Sequence, residues 1–275
     1  KITGCDSNGP GTITQPWCSV RERFWDLRKT LQPGDLVYLR GGPYNERFAF
    51  YNTFSGTAAS PIVFKTYPGE QVIFDGSIPR GSGIQIWGGN SHLSFVGPME
   101  FKNYEKCLDT GTDTGPRKLG LTFDNLAWHH CNEGVIFRNV DGVTVRNSST
   151  HHMTADKAAL GFRGGSTNVL VENVTSYSND DGRGVDGDAD GFWSDESVGT
   201  VTLRNIIAHD NSEDGIDFKA TNVTIENAQT YNNTSVGFKM WRGQFAVTNL
   251  LSYGNGEDGV RCANNKNADG SFQYT

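Results

Sequence analysis

The chain has 275 residues, of which 36% are hydrophobic, 11% are aromatic and 34 are glycine. This share of apolar and aromatic residues excludes a disordered chain. The 24 Lys and Arg residues against 31 Asp and Glu residues give a net charge of -7 without a basic run, which argues against nucleic-acid binding through phosphates. No apolar run approaches the ~20 residues that a membrane helix needs. We expect a monomer that associates with neither nucleic acid nor a membrane.

The N-terminal residues 1–34 are expected to form a cap on a longer structure. A capping box at Ser19–Glu22 predicts the start of an amphipathic helix that continues to about Leu31. The apolar face of this helix can cover the open end of a stack of repeats, because terminal repeats must hide their last apolar layer. Short strands and turns are then predicted at residues 33–44, 60–70 and 72–76.

The rest of the chain is organised by a repeat. Each unit contains an alternating apolar and polar run that ends on Asn, followed by a Gly and an apolar residue. The Asn positions are 22, 26, 32, 22 and 22 residues apart, and the glycines are 30, 24, 22 and 22 residues apart. The repeated asparagines are Asn125, Asn147, Asn173, Asn205, Asn227 and Asn249, and the glycines are Gly161, Gly191, Gly215, Gly237 and Gly259.

The 22-residue period predicts the fold class. The unit is too short for a propeller blade, and it lacks a leucine-rich consensus and a helical half. We therefore predict an all-β protein, a single domain over residues 1–275 that forms a right-handed parallel β-helix solenoid with an N-terminal capping helix. Residues at equal places in successive coils line up about 4.8 Å apart. The repeated asparagines are expected to form an internal amide ladder.

This alignment brings four carboxylates together. Asp190 and Asp214 each precede a repeat glycine, and Glu213 and Asp217 lie beside them. Carboxylates at ~5 Å repel each other by about 1 kcal/mol or more at surface dielectric, and a Ca²⁺ ion with its 6–8 oxygen ligands would compensate. Lys239 falls one coil beyond Asp217 in the same column. The alternative is that each Asp-Gly pair merely forms a turn.

Two other groups of polar residues leave alternatives open. Residues 186–191 mimic the opening of an EF-hand loop, but Ser197 stands where the loop needs Glu and no flanking helices are predicted; the run either holds a second calcium or is solvated. The pairs at residues 129–130 and 151–152 are all His and are 22 residues apart, so they stack on consecutive coils. We interpret them as polar turns rather than a metal site, since no nearby Cys or Glu completes a zinc set.

The five cysteines indicate the compartment. Cys5 and Cys18 flank a Gly/Pro/Ser-rich segment and can form one disulfide, and Cys107 and Cys131 can form another, which leaves Cys262 unpaired. Disulfides persist in oxidising environments, so we expect a secreted protein.

Asp190-Gly-Phe, Glu213-Asp-Gly-Ile-Asp and Gly237-Phe-Lys together resemble the pattern of the pectate lyases of polysaccharide lyase family 9. That family is a right-handed parallel β-helix, and the match covers roughly residues 140–262. The resemblance implies that Asp190, Glu213, Asp214 and Asp217 bind catalytic Ca²⁺ and that Lys239 is the base. Glu213 departs from the family, which usually has Asp at this place.

The resemblance implies a calcium-dependent lyase that cleaves a pectic polyuronate by β-elimination. Calcium on the uronate carboxylate would stabilise the charge that develops as the C5 proton is removed. We expect an alkaline optimum, because the base must be neutral and free Lys has a pKa of ~10.4. Further candidates for binding the acidic polysaccharide, through carboxylates or by ring stacking, are Arg163, Arg242, Arg261, Trp193 and Trp241.

Two other functions fit the same fold. An inverting glycoside hydrolase of the polygalacturonase type would need two carboxylates about 6.5–9.5 Å apart, although the Gly-His-Gly and Arg-Ile-Lys signatures of polygalacturonases are missing. A non-catalytic secreted β-helix that binds polysaccharide or acts as an adhesin would show no turnover. The fold alone does not separate these functions.

Overall fold

The computed structural model describes residues 4–21, 31–50, 54–77, 81–154, 158–183 and 187–262. Over these residues the regular secondary structure consists of short and long β-strands. In chain order they are β1 (Leu36–Leu39), β2 (Phe48–Phe50), β3 (Ile62–Thr66), β4 (Val72–Asp75), β5 (Ser82–Ile86), β6 (Leu93–Lys102), β7 (Lys106–Asp109), β8 (Lys118–His129), β9 (Glu133–Arg138), β10 (Val140–His151), β11 (Leu160–Arg163), β12 (Thr167–Tyr177), β13 (Phe192–Ser194), β14 (Thr200–His209), β15 (Ile216–Phe218), β16 (Asn222–Tyr231), β17 (Phe238–Met240), β18 (Gln244–Tyr253) and β19 (Val260–Cys262).

The strands form two parallel sheets that alternate along the chain. The long-strand sheet has the order β1-β3-β6-β8-β10-β12-β14-β16-β18, with β4 also paired to β6. The short-strand sheet has the order β19-β17-β15-β13-β11-β9-β7-β5-β2. Every pairing is parallel, and each strand pairs with its equivalents in the preceding and following coils. The predicted all-β parallel solenoid is therefore confirmed.

Asparagine bends each of the long strands β8, β10, β12, β14, β16 and β18. The repeated asparagines have φ between 51° and 62°, the left-handed region that Asn tolerates better than most residues. From Asn147 to Asn249 their amides form a continuous ladder in which, for example, Nδ2 of Asn205 donates to Oδ1 of Asn173 (2.9 Å) and Nδ2 of Asn227 donates to Oδ1 of Asn205 (3.0 Å). The ladder exists, but these asparagines are exposed, so the prediction that the ladder is internal is wrong.

A second set of asparagines forms the internal ladder. Nδ2 of Asn179 donates to Oδ1 of Asn211 (2.7 Å), Nδ2 of Asn211 to Oδ1 of Asn233 (2.8 Å), and Nδ2 of Asn233 to Oδ1 of Asn255 (2.9 Å). The same side-chain oxygens accept backbone N–H groups of the preceding coil. Asn179, Asn211 and Asn233 are at most 1% exposed. This ladder pairs the polar groups of the buried turn that leads into each short strand.

The core between the sheets consists of columns of like residues. Val143, Val169, Val201 and Val223 are register partners in neighbouring long strands, and all are buried. Phenylalanines fill the N-terminal half, where Phe95 and Phe123 stack with ring centroids 5.2 Å apart. Strands buried inside a parallel sheet need apolar side chains, and stacking the same residue type keeps each coil the same size.

The repeat glycines are required by the close approach of the next coil. A β-carbon at Gly191 or Gly215 would lie 2.6 Å from a carbonyl oxygen of the following coil, closer than real contacts allow. Gly161 does not belong to this column, because it pairs with Trp193 and the column continues through Ala159. The predicted register of this one coil is therefore wrong by two residues. The cause is local: the Trp193 ring lies against Gly161, where a β-carbon would be 3.2 Å from the ring.

The N-terminal predictions are tested only in part. The predicted capping helix falls mostly on residues 22–30, which lie outside the described residues. At its start, the Glu46 carboxylate accepts the N–H groups of Val20 and Arg21, both at 2.8 Å. The structure contains both expected disulfides, which join residues 5 to 18 and 107 to 131. Over the described residues, helices of the length and apolar character needed to cross a membrane are not found.

We expect Asn211→Ala to lower the free energy of unfolding by about 2–3 kcal/mol, because it leaves the buried amides of Asn179 and Asn233 without their partner. The matched control is Asn205→Gly, which keeps the positive φ and breaks the exposed ladder; its cost should stay below about 1 kcal/mol. Urea unfolding followed by circular dichroism measures both values. Equal losses in the two variants would contradict the assignment of the internal ladder.

Candidate functional site

A cluster of carboxylates lies at the N-terminal ends of two neighbouring short strands. Asp190 stands two residues before β13, and Asp214 stands at the equivalent place before β15. The register pair Phe192 and Ile216 aligns the two strands, so the two aspartates occupy the same column in adjacent coils, as predicted. Their position follows from the repeat glycine, which lets the coils approach closely directly after each aspartate.

Three carboxylates come close enough to share one ion. Oxygen atoms of Asp190, Glu213 and Asp214 all lie within 4.8 Å of one another. Asp190 and Asp214 are 2% and 0% exposed. Backbone N–H groups hold both side chains in place: Oδ1 of Asp190 accepts the N–H of Asp214 (3.2 Å), and Oδ1 of Asp214 accepts the N–H of Val236 (2.8 Å).

The buried negative charges shift the pKa values of the cluster. Burial raises the pKa of Asp190 well above its ordinary value, and the charges of Asp217, Glu213 and Asp214 raise it further. Burial together with the neighbouring Asp214 raises the pKa of Glu213 to about 8. Burial also raises the pKa of Asp217, against the opposing effect of the nearby lysines. The positive charges of the surrounding side chains therefore do not balance the negative charges of these carboxylates.

The donor set fits a hard divalent cation. Carboxylate oxygens are the ligands that Ca²⁺ prefers, and Ca²⁺ tolerates irregular geometry. Oε2 of Glu213 and Oδ1 of Asp217 are buried without a hydrogen-bond partner, although buried polar atoms are normally paired. Asp217 is not one of the three carboxylates whose oxygens lie within 4.8 Å of one another, and its Oδ2 accepts a hydrogen bond from Lys219 (3.0 Å).

Two lysines border the carboxylates. Lys239, the register partner of Asp217, donates from Nζ to Oδ2 of Asp214 (3.0 Å) and is 14% exposed at its side chain. Burial lowers the pKa of Lys239, but Asp214, Asp217 and Glu213 raise it more, so its pKa lies above the ordinary value. Lys219 was not predicted. Its signal in the sequence is the spacing Asp217-Phe-Lys219, because alternate residues of a strand share a face.

The predicted tryptophans lie at the same site. The Nζ atom of Lys239 is 5.0 Å from the ring centre of Trp241. Nζ of Lys219 is 5.5 Å from Trp241 and 5.6 Å from Trp193, distances at which a cation attracts an aromatic face. The short-strand sheet thus presents two cations and two indole rings beside the carboxylates.

The predicted arginines are more widely spread. Arg261 is the register partner of Lys239 and pairs with Glu257 (2.9 Å) and Asp258 (2.5 Å). Arg242 pairs with Glu196 (2.5 Å). Arg163 and Trp193 each stand two residues after a predicted repeat glycine, but they do not share a column, because Gly161 is the register partner of Trp193.

Arg163 instead continues the short-strand sheet towards the N-terminus. It is the register partner of Arg138, and its Nη2 atom donates to Asp113 (2.8 Å). The EF-hand-like run is described only in part, because Asp186 lies outside the described residues. The backbone N–H of Asp188 donates to Asp181 (3.1 Å). Whether this run binds a second calcium stays a prediction.

The fold and the site define a parallel β-helix protein with a cluster of carboxylates next to lysines on one face, and the carboxylate oxygens are close enough to share a cation. The sequence matches the family described as "Pel9A-like, right handed beta helix region" over residues 3–274. The chain belongs to this family, which confirms the expected relationship.

Relatives and similar structures agree with this assignment. The chain is 29% identical over 253 residues to "Pectate lyase PEL9" from Emericella nidulans; the match covers 90% of this chain and spans about half (54%) of that relative. The crystal structure of pectate lyase Pel9A is similar with a TM-score of 0.59, 18% identity, and 92% and 77% of the two chains covered. The structure of a rhamnogalacturonan lyase is similar with a TM-score of 0.65 and 16% identity, and the match covers 90% of this chain and 74% of that one. At these identities, the two structures show the shared fold.

Calcium should stabilise the chain through the carboxylate cluster. At a concentration 100-fold above the dissociation constant, a ligand that binds only the folded state adds about 2.7 kcal/mol. We expect calcium to raise the melting temperature of the wild type and to have little effect on Asp214→Asn, which keeps the acceptor for Val236 but loses the charge. Calorimetry with calcium and with a chelator measures both shifts.

The matched control for this experiment is Asp258→Asn. Asp258 occupies the same place before Gly259 in a later coil, but it is exposed and pairs with Arg261. This variant should keep the full calcium-dependent shift. An equal shift in wild type and Asp214→Asn would show that calcium binds elsewhere.

Proposed function

We propose that this protein is a calcium-dependent polysaccharide lyase that cleaves a pectic polyuronate by β-elimination. The proposal rests on one observation: Lys239 lies 3.0 Å from Asp214 within a buried group of carboxylates whose oxygens fit a hard cation. A base next to a site for the substrate carboxylate is the arrangement that this elimination needs. The name of the Emericella nidulans relative supports a pectic substrate.

The reaction needs a base and a means of stabilising charge on the substrate. The C5 proton of a uronate is adjacent to the C6 carboxylate; when a base removes it, the C5–H electrons form the C4–C5 double bond and the C4–O bond breaks. Lys239 would accept this proton in its neutral form. When bound to Asp190, Glu213, Asp214 and Asp217, calcium would offset the charges that now raise the pKa of Lys239 and would stabilise negative charge on the substrate carboxylate.

Other side chains of the short-strand sheet would hold the polymer. Trp241 and Trp193 present ring surfaces on which sugars can stack, and Lys219 adds a second ammonium group near the same rings. Arg261, one coil beyond Lys239, would bind the carboxylate of a neighbouring uronate on exchanging its present acidic partners for the substrate. Arg242 and Arg163 would contact sugar units farther along the polysaccharide.

The geometry favours a lyase over an inverting hydrolase. The inverting mechanism needs two carboxyl groups about 6.5–9.5 Å apart with a water between them. Oxygens of Asp190, Glu213 and Asp214 lie within 4.8 Å of one another instead. The two disulfides support secretion, because such bonds persist in oxidising compartments.

The activity is tested on a panel of homogalacturonan, rhamnogalacturonan and alginate, with calcium and with a chelator. We expect calcium-dependent formation of an unsaturated, ultraviolet-absorbing product from homogalacturonan. A hydrolase would release reducing ends without this absorbance, and a non-catalytic binding protein would leave all three polymers intact. Either result would overturn the proposal.

The role of Lys239 is tested by Lys239→Met, which keeps the length of the side chain and removes the amine. We expect kcat to fall by about 10²–10⁴-fold, the usual contribution of general acid–base catalysis, while the calcium-dependent melting shift is retained. Lys65→Met, at an exposed position of β3 in the other sheet, is the control and should keep full activity. Loss of turnover in Lys219→Met with activity retained in Lys239→Met would transfer the role of base to Lys219.

A further inference from the structure

A column of rings runs along the outside of the long-strand sheet. Successive coils contribute His129, His151, Tyr177, His209 and Tyr231, whose neighbouring rings stack with centroids 4.7–5.1 Å apart. The residue after each ring has φ between 53° and 55° in these coils. This conformation turns the second side chain back towards the ring that precedes it.

Two coils carry histidine at both places. The Nδ1 atoms of His129 and His130 are 2.7 Å apart, and those of His151 and His152 are 2.8 Å apart. The two pairs are stacked, with centroids 4.7 Å apart for residues 129 and 151 and 5.0 Å apart for residues 130 and 152. Four imidazoles therefore direct nitrogen atoms towards one small region of the surface.

A carboxylate orients the first of these rings. Oε1 of Glu100 lies 3.2 Å from Nε2 of His129, and the Glu100 carboxylate is itself held by Lys102 at 2.6 Å. The Nε2–H of His129 donates to this carboxylate, so its Nδ1 carries a lone pair that faces His130. Glu100 was not predicted to lie near the histidines, because it reaches His129 only through the pairing of Lys102 with His129 in adjacent coils.

We propose that His129, His130 and His151 form a binding site for a divalent transition-metal ion of the Cu²⁺ or Ni²⁺ type. Nitrogen atoms of the three residues all lie within 4.8 Å of one another. A histidine that binds a metal commonly donates its other N–H to a carboxylate, which is the relation between His129 and Glu100.

The spacing of the nitrogens selects the kind of metal. At metal–nitrogen distances of about 2.0–2.1 Å, two nitrogens 2.7 Å apart subtend about 80–85° at the ion. This angle is near the 90° of a tetragonal site, which Cu²⁺ and Ni²⁺ favour, and far from the ~109° of tetrahedral Zn²⁺. Without the ion, Nδ1–H of His130 donates to His129; for binding, that proton moves through water to Nε2 of the exposed His130 side chain.

The site is separate from the carboxylate cluster in place and in chemistry. The histidines belong to β8, β10 and the residues directly after them in the long-strand sheet, whereas the carboxylates border the short-strand sheet. Imidazole ligands suit copper and nickel, and carboxylates suit calcium. Excess calcium should therefore leave metal binding by the histidines unchanged, and the proposal does not depend on the lyase activity.

The test uses the full chain without an affinity tag, stripped of metal and titrated with Cu²⁺ and Ni²⁺ in excess calcium. We expect one ion per chain by calorimetry, with nitrogen hyperfine structure from imidazole in the electron paramagnetic resonance spectrum of the copper form. His130→Ala should weaken binding at least tenfold, and Glu100→Gln should weaken it by about 10-fold. The matched control is His209→Ala, in the same column, whose ring pairs with Asp210 instead of a second histidine.

Unchanged affinity in the His129→Ala/His130→Ala double variant would overturn the proposal, as would the absence of binding by the wild type. Circular dichroism and the melting temperature show whether each variant is folded. Because His130 is exposed, His130→Gln provides a second variant that removes the ligand with little effect on packing, and its affinity decides the question if the double variant unfolds.

Discussion

The hydrogen bonds between successive coils determine where every side chain lies. Parallel pairing fixes residues of one coil opposite their equivalents in the next, about 4.8 Å away. Each column of side chains must therefore consist of residues that pack or bond favourably with residues of the same kind. Valines stack on valines in the core, amides bond to amides in two ladders, and rings stack on rings outside the long-strand sheet.

The same constraint produces electrostatic repulsion within the carboxylate cluster. Asp190 and Asp214 occupy one column, so the fold places like charges together in a buried setting. Repetition stops at the next coil, where Val236 takes the equivalent place and donates its N–H to Asp214. Lys239 supplies a cation in the neighbouring column. The site is thus a short departure from the repeat. The negative charge of its carboxylates is not fully balanced by neighbouring side chains and can attract a positively charged ligand.

The sequence was sufficient to predict whatever depends on periodicity alone. The solenoid and the alignment of Lys239 with Asp217 follow from a 22-residue spacing, and the pairing of Asp190 with Asp214 follows from the repeat glycines that come directly after them, 24 residues apart. Which face a residue occupies was harder to predict. The regular Asn205 series is exposed, and the buried ladder uses Asn179, Asn211 and Asn233, because a left-handed bend turns the first set outwards.

Departures from the period account for the remaining differences. Gly161 looked like a repeat glycine, but the bulk of Trp193 needs the space above it, so the coil pairs two residues away from the predicted register. Lys219 and Glu100 were missed because neither belongs to a repeated template. Their positions depend on the alternation of side chains within a strand and on contacts to the adjacent coil, which a spacing argument does not include.

The unequal coil lengths have a consequence for how this architecture can diversify. The interval from Asn173 to Asn205 is ten residues longer than the basic 22, yet β12 and β14 remain in register throughout. Most of the additional residues fall between the end of β12 at Tyr177 and the start of β13 at Phe192, directly before Asp190. Insertions at this place can change the surroundings of the carboxylate cluster while parallel pairing keeps the spacing of its oxygens fixed, so that the cluster and its surroundings can evolve independently.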